Sequence, residues 1–257
     1  MIISRAHRFV FFHNPKVGGT SVRATLEPFN DIGFGLWGLR DEVGPDMAHL
    51  GVDQFAAEFP ELWDEVRGFR MFCLWRPPVA RFLSAVYEHS LAYADIDIRF
   101  ADAAARRDFL MRKIDELAAL GTDEALLDRL EYTHLKPQRI YWTCADPAVQ
   151  VTRRPLSDIN AMFDEIEGLT GAPLARQRRN ELDRLDLPGP MARLLSSARI
   201  KKTLRALPGR EVAKTMLRRK YAAAPGPHFP LSDAENDRVT DFVKYFYDKD
   251  VELIGLD

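Results

Sequence analysis

Residues 9–22 read FVFFHNPKVGGTSV, and their reading decides the fold. With four consecutive apolar residues, Phe9 to Phe12, the stretch Arg8 to Phe12 reads as a short, fully buried strand, the kind found in parallel sheets. The run stops at His13, and Asn14-Pro15 is a turn signal. Lys16, Gly18, Gly19, Thr20 and Ser21 follow, and Thr20 to Leu26 has helix-compatible spacing, with Val22 and Leu26 four apart. The order is strand, glycine loop, helix. Such a loop lets backbone N–H groups converge on an anion, and the helix start behind it adds partial positive charge. A lysine and two hydroxyls complete the donor set. The plain alternative is a strand–turn–helix corner with incidental polar residues.

A second stretch repeats the arrangement. Phe69 to Trp75 (FRMFCLW) reads as another buried strand, ended by Arg76-Pro77-Pro78. Val79, Phe82, Leu83 and Val86 then give a helical period over Val79 to Tyr87, and a proline in the first turn of a helix removes no needed hydrogen bond. Arg76 stands at the strand end, Ser84 lies two turns into the helix, and Arg81 is three residues before Ser84. Arginine at a strand end with serine on the next helix suits a second, separate phosphate. The plain alternative here is an arginine that merely precedes a proline.

The rest of the chain continues the alternation. Val52 to Phe59 reads as a helix stopped by Pro60, and Met47 to Leu50 as a short strand or its exit. Arg106 to Leu120 and Glu124 to Leu130 read as amphipathic helices, Gln150 to Thr152 as a strand, and Leu156 to Leu169 as a helix opened by Ser157 or Asp158 and closed by Gly168 or Gly171. Ser232 to Tyr247 is a last helix, with Ser232 and Glu235 spaced for a capping box. Asp31 to Pro45 is a glycine-rich loop. Strands alternating with helices predict an α/β fold with a mostly parallel sheet flanked by helices. Ligands in such sheets bind at the carboxyl ends of strands, where both loops fall.

Length and composition fit one domain spanning residues 1–257. The formal charge of −2 gives no general attraction to nucleic acid, yet residues 176–220 carry 14 Lys/Arg against 4 Asp/Glu. That basic segment is a solvated helical face or a docking surface for an anion. Cys73 and Cys144 are the only cysteines and make neither a metal-ligand pair nor a disulfide framework, as expected in a reducing cytoplasm. The N-terminus lacks the features of a signal peptide, and no stretch approaches the ~20 apolar residues of a membrane span. The expectation is a cytoplasmic protein.

Together the two loops resemble the paired nucleotide-binding motifs of sulfotransferases that use 3′-phosphoadenosine 5′-phosphosulfate, in particular the carbohydrate sulfotransferase branch. Pro15, Lys16, Gly18, Gly19, Thr20 and Ser21 match the 5′-phosphosulfate loop P-K-x-G-G-T-S, and Arg76, Pro78, Arg81 and Ser84 match the 3′-phosphate motif R-x-P-x-x-R-x-x-S. Tyr87 falls one residue later than that motif's tyrosine. His134-Leu135-Lys136-Pro137-Gln138 is similar to the branch's H-W-x-P-Q, with leucine for tryptophan. Tyr247, Asp250 and Leu253 resemble a closing Y-x-x-D-x-x-L pattern.

The resemblance implies a P-loop-like sulfotransferase fold and transfer of a sulfuryl group to a hydroxyl, less readily an amine, of a carbohydrate or other small acceptor, without a metal. It implies Pro15, Lys16, Gly18, Gly19, Thr20, Ser21, Arg76 and Ser84 as ligands of the donor, with Lys16 also catalytic. Two rival readings are a nucleotide kinase or NTPase-like phosphotransferase and a non-catalytic nucleotide- or glycan-binding protein on the same scaffold. The first wants a magnesium carboxylate after a buried strand, where this chain has Arg76. Its phosphate loop would have to be degenerate, since a Walker A loop has lysine after the glycines and here lysine precedes them.

Transfer to a hydroxyl needs a base, and six histidines compete. His7 lies too early, His13 ends the first strand as a structural residue, His89 is solvated near the end of the second motif's helix, and His228 has no nameable partner. His49, between the two motifs, resembles the family's catalytic histidine in placement. It is the first choice, with His134 second and otherwise a shaper of the substrate pocket.

Overall fold

The computed structural model describes residues 1–32, 47–93, 98, 101–176, 216 and 229–256. The glycine-rich loop after Asp31, nearly all of the basic segment and His228 lie outside the described residues. Strand β1 (Ile2–Ser4) and strand β2 (Phe9–Phe12) are followed by helix α1 (Gly19–Leu26). Helices α2 (Val52–Glu58) and α3 (Pro60–Val66) lead to β3 (Arg70–Trp75) and α4 (Pro78–Tyr93). Helix α5 (Ala103–Ala118), strand β4 (Val151–Pro155) and helix α6 (Ile159–Thr170) come next. Helices α7 (Asp233–Phe246) and α8 (Asp248–Ile254) follow at the C-terminal end.

The four strands lie in the order β1-β2-β3-β4. β1 pairs antiparallel with β2, while β2–β3 and β3–β4 are parallel. Phe12 is opposite Cys73 and Trp75 opposite Pro155, so the carboxyl ends of three neighbouring parallel strands share one edge. The fold is α/β with a mostly parallel sheet, as the alternation of patterns predicts.

Side chains alternate across a strand, and here both alternating sets are apolar. Phe9 and Phe11, with Phe72 and Leu74 of β3, pack against Val22 and Leu26 of α1 and Met162, Phe163 and Ile166 of α6. Val10 and Phe12, with Met71 and Cys73, pack on the opposite face against Phe55 of α2, Trp63 and Val66 of α3, Tyr141 and Trp142. Helices on both faces explain why the strands read as unbroken apolar runs. A third cluster joins α4 and α5 to α7, through Phe82, Leu110, Val243 and Phe246.

Several local readings need correction. β1 is too short to announce itself, and it is fixed by pairing Ile3 with Val10. Pro60 ends α2 but also opens α3, where its missing N–H costs nothing. Met47–His49 is a 3₁₀ turn rather than a strand. The expected helix at Glu124–Leu130 is two short 3₁₀ turns, Asp123–Leu126 and Leu130–Leu135. α4 runs to Tyr93, and a 3₁₀ turn at Leu156–Asp158 precedes α6, which Gly171 closes in the left-handed region at φ 67°. Ser232 and Glu235 do form the capping box of α7.

His89 is not solvated. It is buried, its ring stacks on Tyr132 at 5.8 Å, and Nδ1 lies 3.2 Å from the Glu131 carbonyl. Burial, reinforced by the Lys113 cation, pushes its pKa down to about 4; the carboxylates of Glu116 and Glu131 oppose this only in part. The unfolded chain, with histidine near 6.5, binds a proton that the native state refuses. His89 therefore contributes stability above about pH 6.5 that is lost as the pH falls toward 4. Denaturant titrations should show the unfolding free energy dropping between pH 7 and pH 5, with a shallower drop in His89→Asn; equal slopes would remove His89 as the source.

Candidate anion site at the strand ends

The loop after β2 is shaped by backbone that only certain residues tolerate. Gly18 caps α1 in the left-handed region, at φ 79° and ψ 11°. A Cβ there would stand 2.7 Å from Leu156 Cδ1, in the turn after β4. At Gly19 a Cβ would stand 1.7 Å from Nε2 of His13, because the His13 ring lies directly on the loop. Neither glycine has a substitute. Lys16 also adopts a positive φ, 67°, which is uncommon for a residue with a side chain. The turn closes by Ser21 N and Val22 N donating to the Gly18 carbonyl at 2.9 and 3.2 Å. The first amides of a helix have no intrahelical acceptor, so α1 presents donors beside Lys16 and the exposed Thr20.

The second loop is brought to the first by α4. Arg81, Ser84 and Glu88 are spaced three and four residues apart, which puts them on one helical stripe. At one end of the stripe the buried Arg81 donates from Nε to the Pro15 carbonyl at 3.4 Å. At the other, Glu88 Oε2 accepts from Lys16 Nζ at 3.0 Å. The buried Ser84 lies between them, so the stripe that carries it runs along the glycine loop. Arg76 is partly buried, and burial alone lowers its guanidinium from the usual value; among the described residues no carboxylate pairs with it.

Gln138 ties the two strand ends together. Its Oε1 accepts from Asn14 Nδ2 and from the Arg76 amide, both at 3.1 Å, and its Nε2 donates to the Arg76 carbonyl at 2.8 Å. Asn14 Nδ2 also donates to the Leu74 carbonyl at 3.0 Å. Gln138 is in turn held from α8: Asp250 accepts from the amides of Gln138 at 2.6 Å and Arg139 at 2.9 Å. Tyr247 donates its hydroxyl to the Leu135 carbonyl at 2.7 Å, and Arg139 forms a bidentate pair with Asp123. The HLKPQ segment and the closing Tyr247/Asp250 pattern, 112 residues apart in sequence, are thus one brace. Leu253, the last member of that pattern, is exposed.

Three histidines converge beside the loop. The ring centroids of His13 and His49 are 4.6 Å apart and those of His49 and His134 are 5.6 Å apart. His13 and His49 are buried and His134 is half-buried. Burial first, then the neighbouring His49, the Met1 amine, Arg23 and His134, drives the His13 pKa well below the ordinary value, so His13 is neutral at pH 7. The sequence-predicted base and its runner-up therefore sit together, and His13 joins them; His7 instead packs edge-on to Phe29. Reading residues one at a time missed Gln138, Glu88 and the clustering of the histidines.

Comparison with family models, curated proteins and solved structures finds no match. Among the described residues no group of three or more His, Cys, Asp or Glu is arranged to hold a metal ion, and no helix is long and apolar enough to cross a membrane.

Gln138→Leu should lower the unfolding free energy by about 3 kcal/mol, because it leaves the Arg76 amide, the Arg76 carbonyl and the Asn14 amide short of partners in a buried place. Chemical denaturation measures this, and a loss below about 1 kcal/mol would show that the amide is not the brace described.

Proposed function

We propose that this chain is a sulfotransferase of the P-loop-like fold that takes 3′-phosphoadenosine 5′-phosphosulfate as donor. The observation that carries the proposal is the pairing of two cationic strand-end loops on adjacent parallel strands, joined by one glutamine side chain. One anion grip would serve mononucleotides in general. Two separate grips, Lys16 to Ser21 and Arg76 with Ser84, suit a nucleotide with two separated anionic groups. The residues present fit that group: a glycine corner that admits no Cβ, a lysine beside helix amides, and a half-buried arginine that no carboxylate among the described residues pairs with.

The bound donor would supply an activated sulfuryl group on a phosphate oxygen. Lys16 and the first amides of α1 would hold that phosphate oxygen and stabilise negative charge there. Arg76 and Ser84 hold the far phosphate and so fix the reacting end. His49 takes the proton of the acceptor hydroxyl as the new sulfur–oxygen bond forms. His134, whose ring meets that of His49 edge-on, would contact the acceptor. The acceptor would be a carbohydrate or another small hydroxyl compound, and a cytoplasmic location belongs to the same proposal.

Adenosine 3′,5′-bisphosphate should raise the thermal midpoint well above the effect of equimolar AMP or ATP, since ligand binding to the folded state adds about 2.7 kcal/mol at a hundredfold excess over the dissociation constant. Equal shifts for the three nucleotides would refute the donor assignment and favour the phosphotransferase or simple nucleotide-binding readings.

His49→Ala should cut the turnover number by about 10²–10⁴ with bisphosphate affinity nearly unchanged. If labelled-donor assays showed unimpaired transfer by that variant, the base would lie elsewhere, with His134 next to test.

A further inference from the structure

Lys16 is the residue the proposed donor needs most, yet its ammonium already has a partner. Glu88 Oε2 lies 3.0 Å from Lys16 Nζ, with the two side chains 26% and 18% exposed respectively. The carboxylate comes from α4, one turn beyond Ser84 on the same stripe as Arg81. The lysine of the glycine loop therefore meets a negative charge carried by the helix of the second motif. A site built only to collect anions has no use for it.

We propose that Glu88 is a specificity-determining residue that discriminates a sulfuryl from a phosphoryl group at the Lys16 end of the site; this rests on the reading of Lys16 as the ligand of the donor's terminal group. A sulfuryl group esterified to phosphate carries one negative charge. A terminal phosphoryl group, whose second ionisation lies near pH 6, carries close to two at neutral pH. Their shapes are nearly the same, so contacts alone separate them poorly. A fixed carboxylate across the lysine separates them by charge. Lys16 and Glu88 together offer little net positive charge, so the helix amides suffice for one negative charge, and the second meets repulsion. Discrimination by an unfavourable contact with the wrong ligand is a general device for specificity. The part-exposed setting limits its size to the order of one ion pair.

The test compares adenosine 5′-phosphosulfate with ADP, which differ at the terminal group, by calorimetric titration of the wild-type chain and Glu88→Gln without acceptor. Wild type should bind the phosphosulfate more tightly. Glu88→Gln, which keeps the side chain's shape, should narrow that preference about fivefold, chiefly by tightening ADP. An unchanged preference in Glu88→Gln, with both ligands bound, overturns the role of Glu88 and leaves the donor site standing. Wild type that binds neither nucleotide overturns both. A matching thermal midpoint without ligand confirms that the variant is folded.

Discussion

One buried amide sets the geometry of everything else. Gln138 hydrogen-bonds to both backbone groups of Arg76 and to the side chain of Asn14, residues just beyond the ends of β3 and β2. The sheet brings those ends side by side, but it does not fix the loops that leave them. Chain leaving a strand has lost its ladder partners, and buried polar groups without partners are expensive. Gln138 satisfies three such groups at once, and Asp250 holds Gln138 by its own amide. The two cationic loops are therefore mounted on one rigid brace rather than hanging independently. Function of the proposed kind consists largely of holding charges at a set separation.

The glycine loop is over-determined in the same sense. Lys16 and Gly18 both occupy positive φ, and Gly19 leaves room for the His13 ring where a Cβ would stand. A neutral, desolvated imidazole packed on the start of α1 adds no competing charge to the helix amides. Beyond it lie His49 and His134, so the polar floor of the loop and the proposed acceptor-side residues form one patch. Arg81, fastened to the Pro15 carbonyl, keeps α4 alongside.

What local sequence could show follows from what is local. The apolar runs at Phe9–Phe12 and Phe69–Trp75, the glycine corner and the Ser232/Glu235 cap are each decided by neighbours in the chain, and the structure has them. The brace joins residues as far as 124 positions apart, which no periodicity reveals. His89 looked solvated because its helix position was clear while its cover, Tyr132, arrives from another segment. Glu88 stands 72 positions from Lys16, and its pairing with that lysine becomes visible only once α4 is laid along the loop. The short 3₁₀ turns from Asp123 to Tyr141 imitate helical spacing over a few residues and then break, as segments do when they follow the surface of a core rather than form a layer of it.

The central claim is that the two strand-end loops are the two anion grips of one nucleotide. A crystal structure with adenosine 3′,5′-bisphosphate tests it most directly. The account predicts the 5′-phosphate against Lys16, Gly19 and Thr20 and the 3′-phosphate against Arg76 and Ser84, with Gln138 unmoved between them. A bisphosphate bound elsewhere, or held at one loop with its other phosphate in solvent, would contradict it.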